Sequence, residues 1–228
     1  MMGDNDGNND EKPAREVEVS GFFMCKFVVT QKEWLDEMGA LHCRFKGNRF
    51  PAVSVSWFDA IEYANRRSLR EGLTPPYITG GESVNWNRAA NGYRLPTEAE
   101  WEFAARGGRG SPGNFAYSGS DCADEVAWYN KNSVGNMREV GMKKPNALGL
   151  HDMSGNVWEW VWDWYGPYPG GAQADPAGAP AGTCRVIRGG SWGNAPRELR
   201  CSSRNDYYYL TAPTDRYYTI GFRLARSL

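Results

Sequence analysis

Four tryptophans at alternate positions, in Val157-Trp158-Glu159-Trp160-Val161-Trp162-Asp163-Trp164, constrain this chain more than any other stretch. Residues two apart in an extended chain share a face. A strand here therefore carries a ladder of indoles, and that face must be buried. The material to bury it is present, since 41% of the 228 residues are apolar, with 10 Trp and 9 Phe among them. Helices that could cover the ladder are marked by their caps. Thr30 is followed three residues later by Glu33, and Thr97 by Glu100, the reciprocal pattern that satisfies the first free amides of a helix. Ser56 caps a third segment that carries Trp57, Ile61, Tyr63 and Ala64. The helix after Thr97 reads best, and it stops at Gly107-Gly108.

Short apolar runs at residues 16–19, 22–30, 185–188 and 221–225 read as strands. Residues 166–182 hold four prolines and five glycines and read as a long surface loop. Few helices beside many short strands predict an α+β class, in one domain over residues 16–228. Residues 1–15, rich in Asn, Asp and Gly and without the apolar stretch of a signal peptide, read as a flexible leader.

Composition removes several functions. A net charge of −1 gives no basic footprint for nucleic acid. No apolar run is long enough to span a bilayer. The five cysteines (Cys25, Cys43, Cys122, Cys184, Cys201) form no CxxC pair, which excludes a local zinc or thioredoxin-type motif, and their odd number argues for buried free thiols. Gly189-Gly190-Ser191-Trp192-Gly193 matches a nucleophile-elbow pattern, yet both histidines, His42 and His151, precede it and Pro196 follows too soon for a good helix. Ser191 is expected to be structural. Glu98, Glu100 and Glu102 alternate along a helix and are expected on a solvated charged face.

Five of the twelve tyrosines fall in Asn205-Asp206-Tyr207-Tyr208-Tyr209-Leu210-Thr211-Ala212-Pro213-Thr214-Asp215-Arg216-Tyr217-Tyr218-Thr219. Neither a helical nor a strand period runs through it. Tyr mixed with Asn, Asp and Thr is the composition of a contact surface, because Tyr gives large rigid contacts at low entropic cost and the small polar residues give adaptable hydrogen bonds. A tyrosine-rich loop packed on its own core is the alternative.

Several motifs, in order along the chain, are similar to the formylglycine-generating enzyme and sulfatase-modifying factor family. They are Val29-Thr30 with Trp34; Val55-Ser56-Trp57 with Asp59-Ala60; residues 94–108; Asn146-Ala147-Leu148-Gly149-Leu150-His151-Asp152-Met153-Ser154-Gly155-Asn156-Val157-Trp158-Glu159-Trp160; Arg185-Val186-Ile187-Arg188-Gly189-Gly190-Ser191-Trp192; and Gly221-Phe222-Arg223. The resemblance implies a C-type lectin-like fold. It also implies where an oxidase would keep its copper-binding cysteine pair, shortly after Trp192. Residues 193–199 contain no cysteine, and Cys201 alone cannot supply the two thiolates that copper(I) requires. The same resemblance offers Asn156 and Glu159 as candidate oxygen ligands of a structural calcium ion. No other cofactor is implied.

A lectin-like family fold without its catalytic pair, ending in a Tyr- and Asn-rich segment, resembles the variable proteins of diversity-generating retroelements. In those systems a reverse transcriptase randomises template adenines, so Asn codons turn into Tyr, Asp, Ser, Gly and others. The resemblance implies a variable segment at about residues 185–226. Its candidate ligand-binding positions are Gly193, Asn194, Leu199, Asn205, Asp206, Tyr207, Tyr208, Tyr209, Asp215, Tyr217 and Tyr218, set on a fixed frame that includes Trp192, Arg200, Arg204 and Arg223. It further implies a non-enzymatic binder of a protein or cell-surface ligand, displayed on a bacterial surface. A sulfatase-modifying-factor-like oxidase, or its inactive remnant, is the alternative.

Overall fold

The three caps form as the sequence predicts. In the computed structural model, which describes residues 1–81, 83–204 and 211–228, Thr30, Ser56 and Thr97 each accept from the amide three residues on, and Glu33, Asp59 and Glu100 reach back to the cap amide. The strands and helices in chain order are β1 (Val17–Glu18), β2 (Phe22–Met24), α1 (Gln31–Met38), α2 (Trp57–Arg70), β3 (Tyr77–Gly80), β4 (Ser83–Trp86), β5 (Tyr93–Arg94), α3 (Glu98–Ala105), α4 (Ala123–Val126), β6 (Trp158–Trp164), β7 (Gln173–Ala174), β8 (Arg185–Arg188), β9 (Ile220–Phe222) and β10 (Ala225–Ser227). Long connections dominate, as the α+β reading requires.

The tryptophan strand β6 is the centre of a three-stranded sheet, antiparallel to β8 and parallel to β9. Trp158 and Trp160 are fully buried beside Trp57, Ile61 and Phe222. Tyr63 stacks on Trp34 with ring centroids 5.5 Å apart, and Tyr77 stacks on Trp162 at 5.2 Å. Two indoles of this core reach backbone carbonyls. Trp57 donates to the Val161 carbonyl at 2.9 Å and Trp160 to the Val55 carbonyl at 3.0 Å. A second sheet, β2-β10-β5, closes the chain's C-terminal end against its early strand.

The opposite face of β6 is buried too, which the alternating pattern does not predict. Glu159 is 1% exposed because Arg223 clamps it through two bonds of 2.7 Å while Trp101 Nε1 donates to it at 2.7 Å. The glutamates of α3 likewise turn inward, correcting the expectation of a solvated face. Arg94 holds Glu100 through two bonds of 2.7 Å, Arg204 holds Glu98 at 2.7 and 2.9 Å, and Glu102 lies between Arg188 and Arg106. Arg188 and Arg204 come from a strand and a loop far away in sequence, so helical periodicity alone cannot reveal them.

Residues 1–15 are not a free leader. Met2 is buried and pairs with Arg15 across two backbone bonds of 2.9 Å. Gly3 donates to Glu102 at 2.8 Å, and Glu11, fully buried, takes both guanidinium nitrogens of Arg200 at 2.6 and 2.8 Å. An acidic, glycine-rich composition mimics a linker, but here the acids answer arginines near the C-terminus.

Candidate recognition surface

The chain leaves β8 through Gly189 and Gly190, both with positive φ. A Cβ on Gly190 would stand 2.5 Å from Leu199 and 2.9 Å from the Glu198 carbonyl, so only glycine lets the two stretches meet. Ser191 follows, buried, with its Oγ donating to Asn194 Oδ1 at 2.6 Å and its amide to the same oxygen at 2.9 Å. It closes a turn, as expected of a structural serine. Asn194 is thus occupied as a turn acceptor. Gly193, at the tip, is exposed and has nothing within 4 Å of where a Cβ would be, so a side chain of any size would project outward.

Trp192 lies half-buried over a cluster of Val28, Val53, Met137, Val140 and Val157. Its other side meets Tyr218 at 5.9 Å between ring centroids. Tyr218 is 57% exposed, whereas Tyr217 is half-buried against the main core. Asp215 accepts from the Ala212 amide at 2.9 Å and shapes the preceding turn. Next to them Arg216 makes two bonds of 2.8 Å to Asp59. Burial works against that carboxylate, but the bonds from Arg216 and Ser56 outweigh it and hold Asp59 below the ordinary carboxylate range. Gly193 and Tyr218 therefore lie beside Trp192, Tyr217 turns toward the main core, and Asn194 and Asp215 are turn formers.

Leu199 does not belong to that surface. It is fully buried with Ala123, Ala127 and Tyr129, which corrects its assignment as a ligand contact. An apolar residue after a Pro-initiated turn buries itself, and the codon-based reasoning that nominated it carries no information about facing. The positions Asn205, Asp206, Tyr207, Tyr208 and Tyr209 lie outside the described residues. Their flanks are fixed on both sides. Arg204 is held by Glu98, by the Gly166 carbonyl at 2.9 Å and by the Asp10 carbonyl at 3.0 Å. Thr211 donates through Oγ1 to the Arg185 carbonyl and accepts from the Arg185 amide at 2.8 Å.

The expected calcium ligands are committed elsewhere. Asn156, with φ of 63°, accepts from the Arg138 amide at 2.9 Å and donates to the Arg138 carbonyl at 3.1 Å, pinning that loop beneath the Trp192 turn. Glu159 is fully engaged by Arg223 and Trp101. Among the described residues no group of three His, Cys, Asp or Glu side chains converges on a metal-sized space. Cys201 is sealed among Trp101, Leu150, Met153, Val161 and Val186, and burial pushes its thiol up to about 12. A thiol held protonated in an apolar cluster supplies no thiolate for copper.

A sequence profile of the sulfatase-modifying factor enzyme 1-like domain matches residues 1–228. The chain belongs to this family. Among its relatives, the chaperone protein LppX of Paenibacillus barcinonensis is 41% identical, with 78% of this chain and 71% of that protein covered. The inactive C-alpha-formylglycine-generating enzyme 2 of Mus musculus is 30% identical over 97% of this chain and 80% of its own. Formylglycine-generating enzymes are relatives as well, that of Streptomyces coelicolor being 34% identical over 70% of this chain and 50% of the enzyme. The chain spans 36% of the length of the serine/threonine-protein kinase pkn1 of Chlamydia pneumoniae, to which it is 32% identical over 98% of its own length. In three dimensions this family member is similar to Treponema denticola variable protein 1, with a TM-score of 0.90 and 30% identity over 100% of this chain and 91% of the other. The C-type lectin-like α+β fold and the similarity to variable proteins are thereby established.

Proposed function

We propose that this sulfatase-modifying-factor-type domain is a non-enzymatic ligand-binding protein whose C-terminal segment, with Trp192 and Tyr218 at its described surface, is diversified by a retroelement. The observation that carries the reading is the division of labour in that stretch. Arg188, Arg204, Thr211 and Arg223 are tied into the scaffold by short bonds, while Gly193 and Tyr218 point to solvent. Substitution at such exposed positions usually changes stability by within about 0.5 kcal/mol, so the scaffold tolerates many versions of the surface. Similarity to a variable protein over the whole chain supports the same reading. The missing cysteine pair and the sealed Cys201 count against oxidase chemistry at this face. The ligand is a protein or cell-surface molecule met by a protein displayed on a bacterial surface, and recognition requires no cofactor.

Sequencing the DNA around the gene tests the proposal. A near-copy of the segment encoding residues 185–226, differing only where the copy has adenines and accompanied by a reverse-transcriptase frame, is the expected result. Its absence sinks the diversification. Copper binding with oxygen consumption on a cysteine-containing peptide would instead revive the oxidase.

A further inference from the structure

Apart from the recognition face, a cavity of about 310 Å³ lies beneath the loop of residues 166–180. The start of α3, the end of β6, Arg15 and Arg204 form its walls, with Tyr168 and Ala179 contributed by the loop. The charges around it are uneven. Glu98 is shared by Arg204 and Arg188, and Glu102 by Arg188 and Arg106. Among the described residues Arg15 has no hydrogen-bonded carboxylate partner, and Glu98, Glu102 and Tyr168 act on it only through space. It is 7% exposed and lies 3.8 Å over the Tyr168 ring, its Nη2 reaches Met2 Sδ at 3.6 Å, and Nε and Nη1 meet no acceptor among those residues.

Asp163, the remaining acid on the wall, accepts from the Glu98 amide at 2.8 Å. Burial and the charge of Glu98 push it up to about 8, against the weaker opposing pull of Arg204. Glu100 and Arg185 also act on it electrostatically. Near pH 7 it is therefore largely neutral and supplies no counter-charge for Arg15. A buried guanidinium without a carboxylate is costly, and its fork of donors matches an oxyanion.

We propose that this cavity binds a small oxyanion, either a short-chain carboxylate or inorganic phosphate, with Arg15 as the charge partner. The volume admits a molecule of a few heavy atoms, and Trp164, Tyr168 and several prolines line it beside the charges. Such a ligand ties residue 15 to the 166–180 loop, so binding stabilises the folded state by mass action.

Thermal unfolding of the full chain at constant ionic strength, with chloride replaced stepwise by acetate in one series and phosphate in another, tests this. A saturable rise of Tm in one series and not the other identifies the source of the oxyanion. Arg15→Gln is expected to weaken the apparent affinity about tenfold, the scale of a charge-assisted bond. Ala179→Phe, which fills the space from the loop and leaves Arg15 in place, should abolish the response. It decides the matter if the Arg15 variant does not fold. The wild-type response should also fade above pH 8 as Asp163, on the wall of the same cavity, ionises. Equal responses in wild type and Ala179→Phe, or no saturable response to either anion, overturn the proposal.

Discussion

The arginine layer under α3 and the Trp192–Tyr218 face lie close together in sequence and obey opposite rules. In the layer, every guanidinium of Arg94, Arg188, Arg204 and Arg223 is buried and paired with a named glutamate. On the face, a Cβ at Gly193 would meet nothing within 4 Å, and Tyr218 is exposed beside Trp192. Between them stand residues that look exposed in sequence and are structural, such as Asn194, Asp215 and the fully buried Leu199. The difference teaches that, among the described residues of this segment, room for a new side chain is found where the chain leaves the scaffold, as at Gly193. A stretch that reads as uniform is in fact interleaved.

The sharpest way to break that contrast is to remove one buried partner. Arg223→Leu strands Glu159 and is expected to cost about 3–5 kcal/mol, the usual penalty of an orphaned buried charge, measured by urea unfolding. Next comes Asp163→Asn. Because the folded-state value of Asp163 is raised from 3.8 to about 8, the folded protein holds a proton that the unfolded chain has released. Wild-type stability should then fall as pH rises from about 4 to about 8 and level off above it. The asparagine variant, which keeps the acceptor for the Glu98 amide, should show a flatter curve and greater stability at pH 8.5 than wild type. Thr97→Ala removes the cap of α3 and should cost about 1 kcal/mol in the same assay. Smallest of all, Gly193→Tyr and Tyr218→Ser should each stay within about 0.5 kcal/mol of wild type. A cost at Gly193 comparable with that at Arg223 would erase the boundary between scaffold and face.

Much of the scaffold is legible because it is written in local rules. Thr30, Ser56 and Thr97 give their helices away through neighbours three residues on, and the tryptophan period gives β6. What escapes is set by partners remote in sequence. Glu98, Glu102 and Glu159 look like surface charges until Arg204, Arg188 and Arg223 arrive, 106, 86 and 64 residues away. Residues 1–15 look like a linker for the same reason, since Glu11 finds Arg200 at a separation of 189. Within the candidate site, the missing histidine downstream marks Ser191 as structural, and it closes a turn with Asn194. The facing of Leu199 and the engagement of Asn156 depend on packing that composition does not encode.

Arg204 and Thr211 are each nailed to the scaffold with six residues between them. For a passage fixed at both ends, doubling its length costs only about 0.6 kcal/mol in closure entropy. Foreign sequence of different length spliced between the two anchors is therefore expected to add little closure cost, which suits this domain to carrying grafted epitopes.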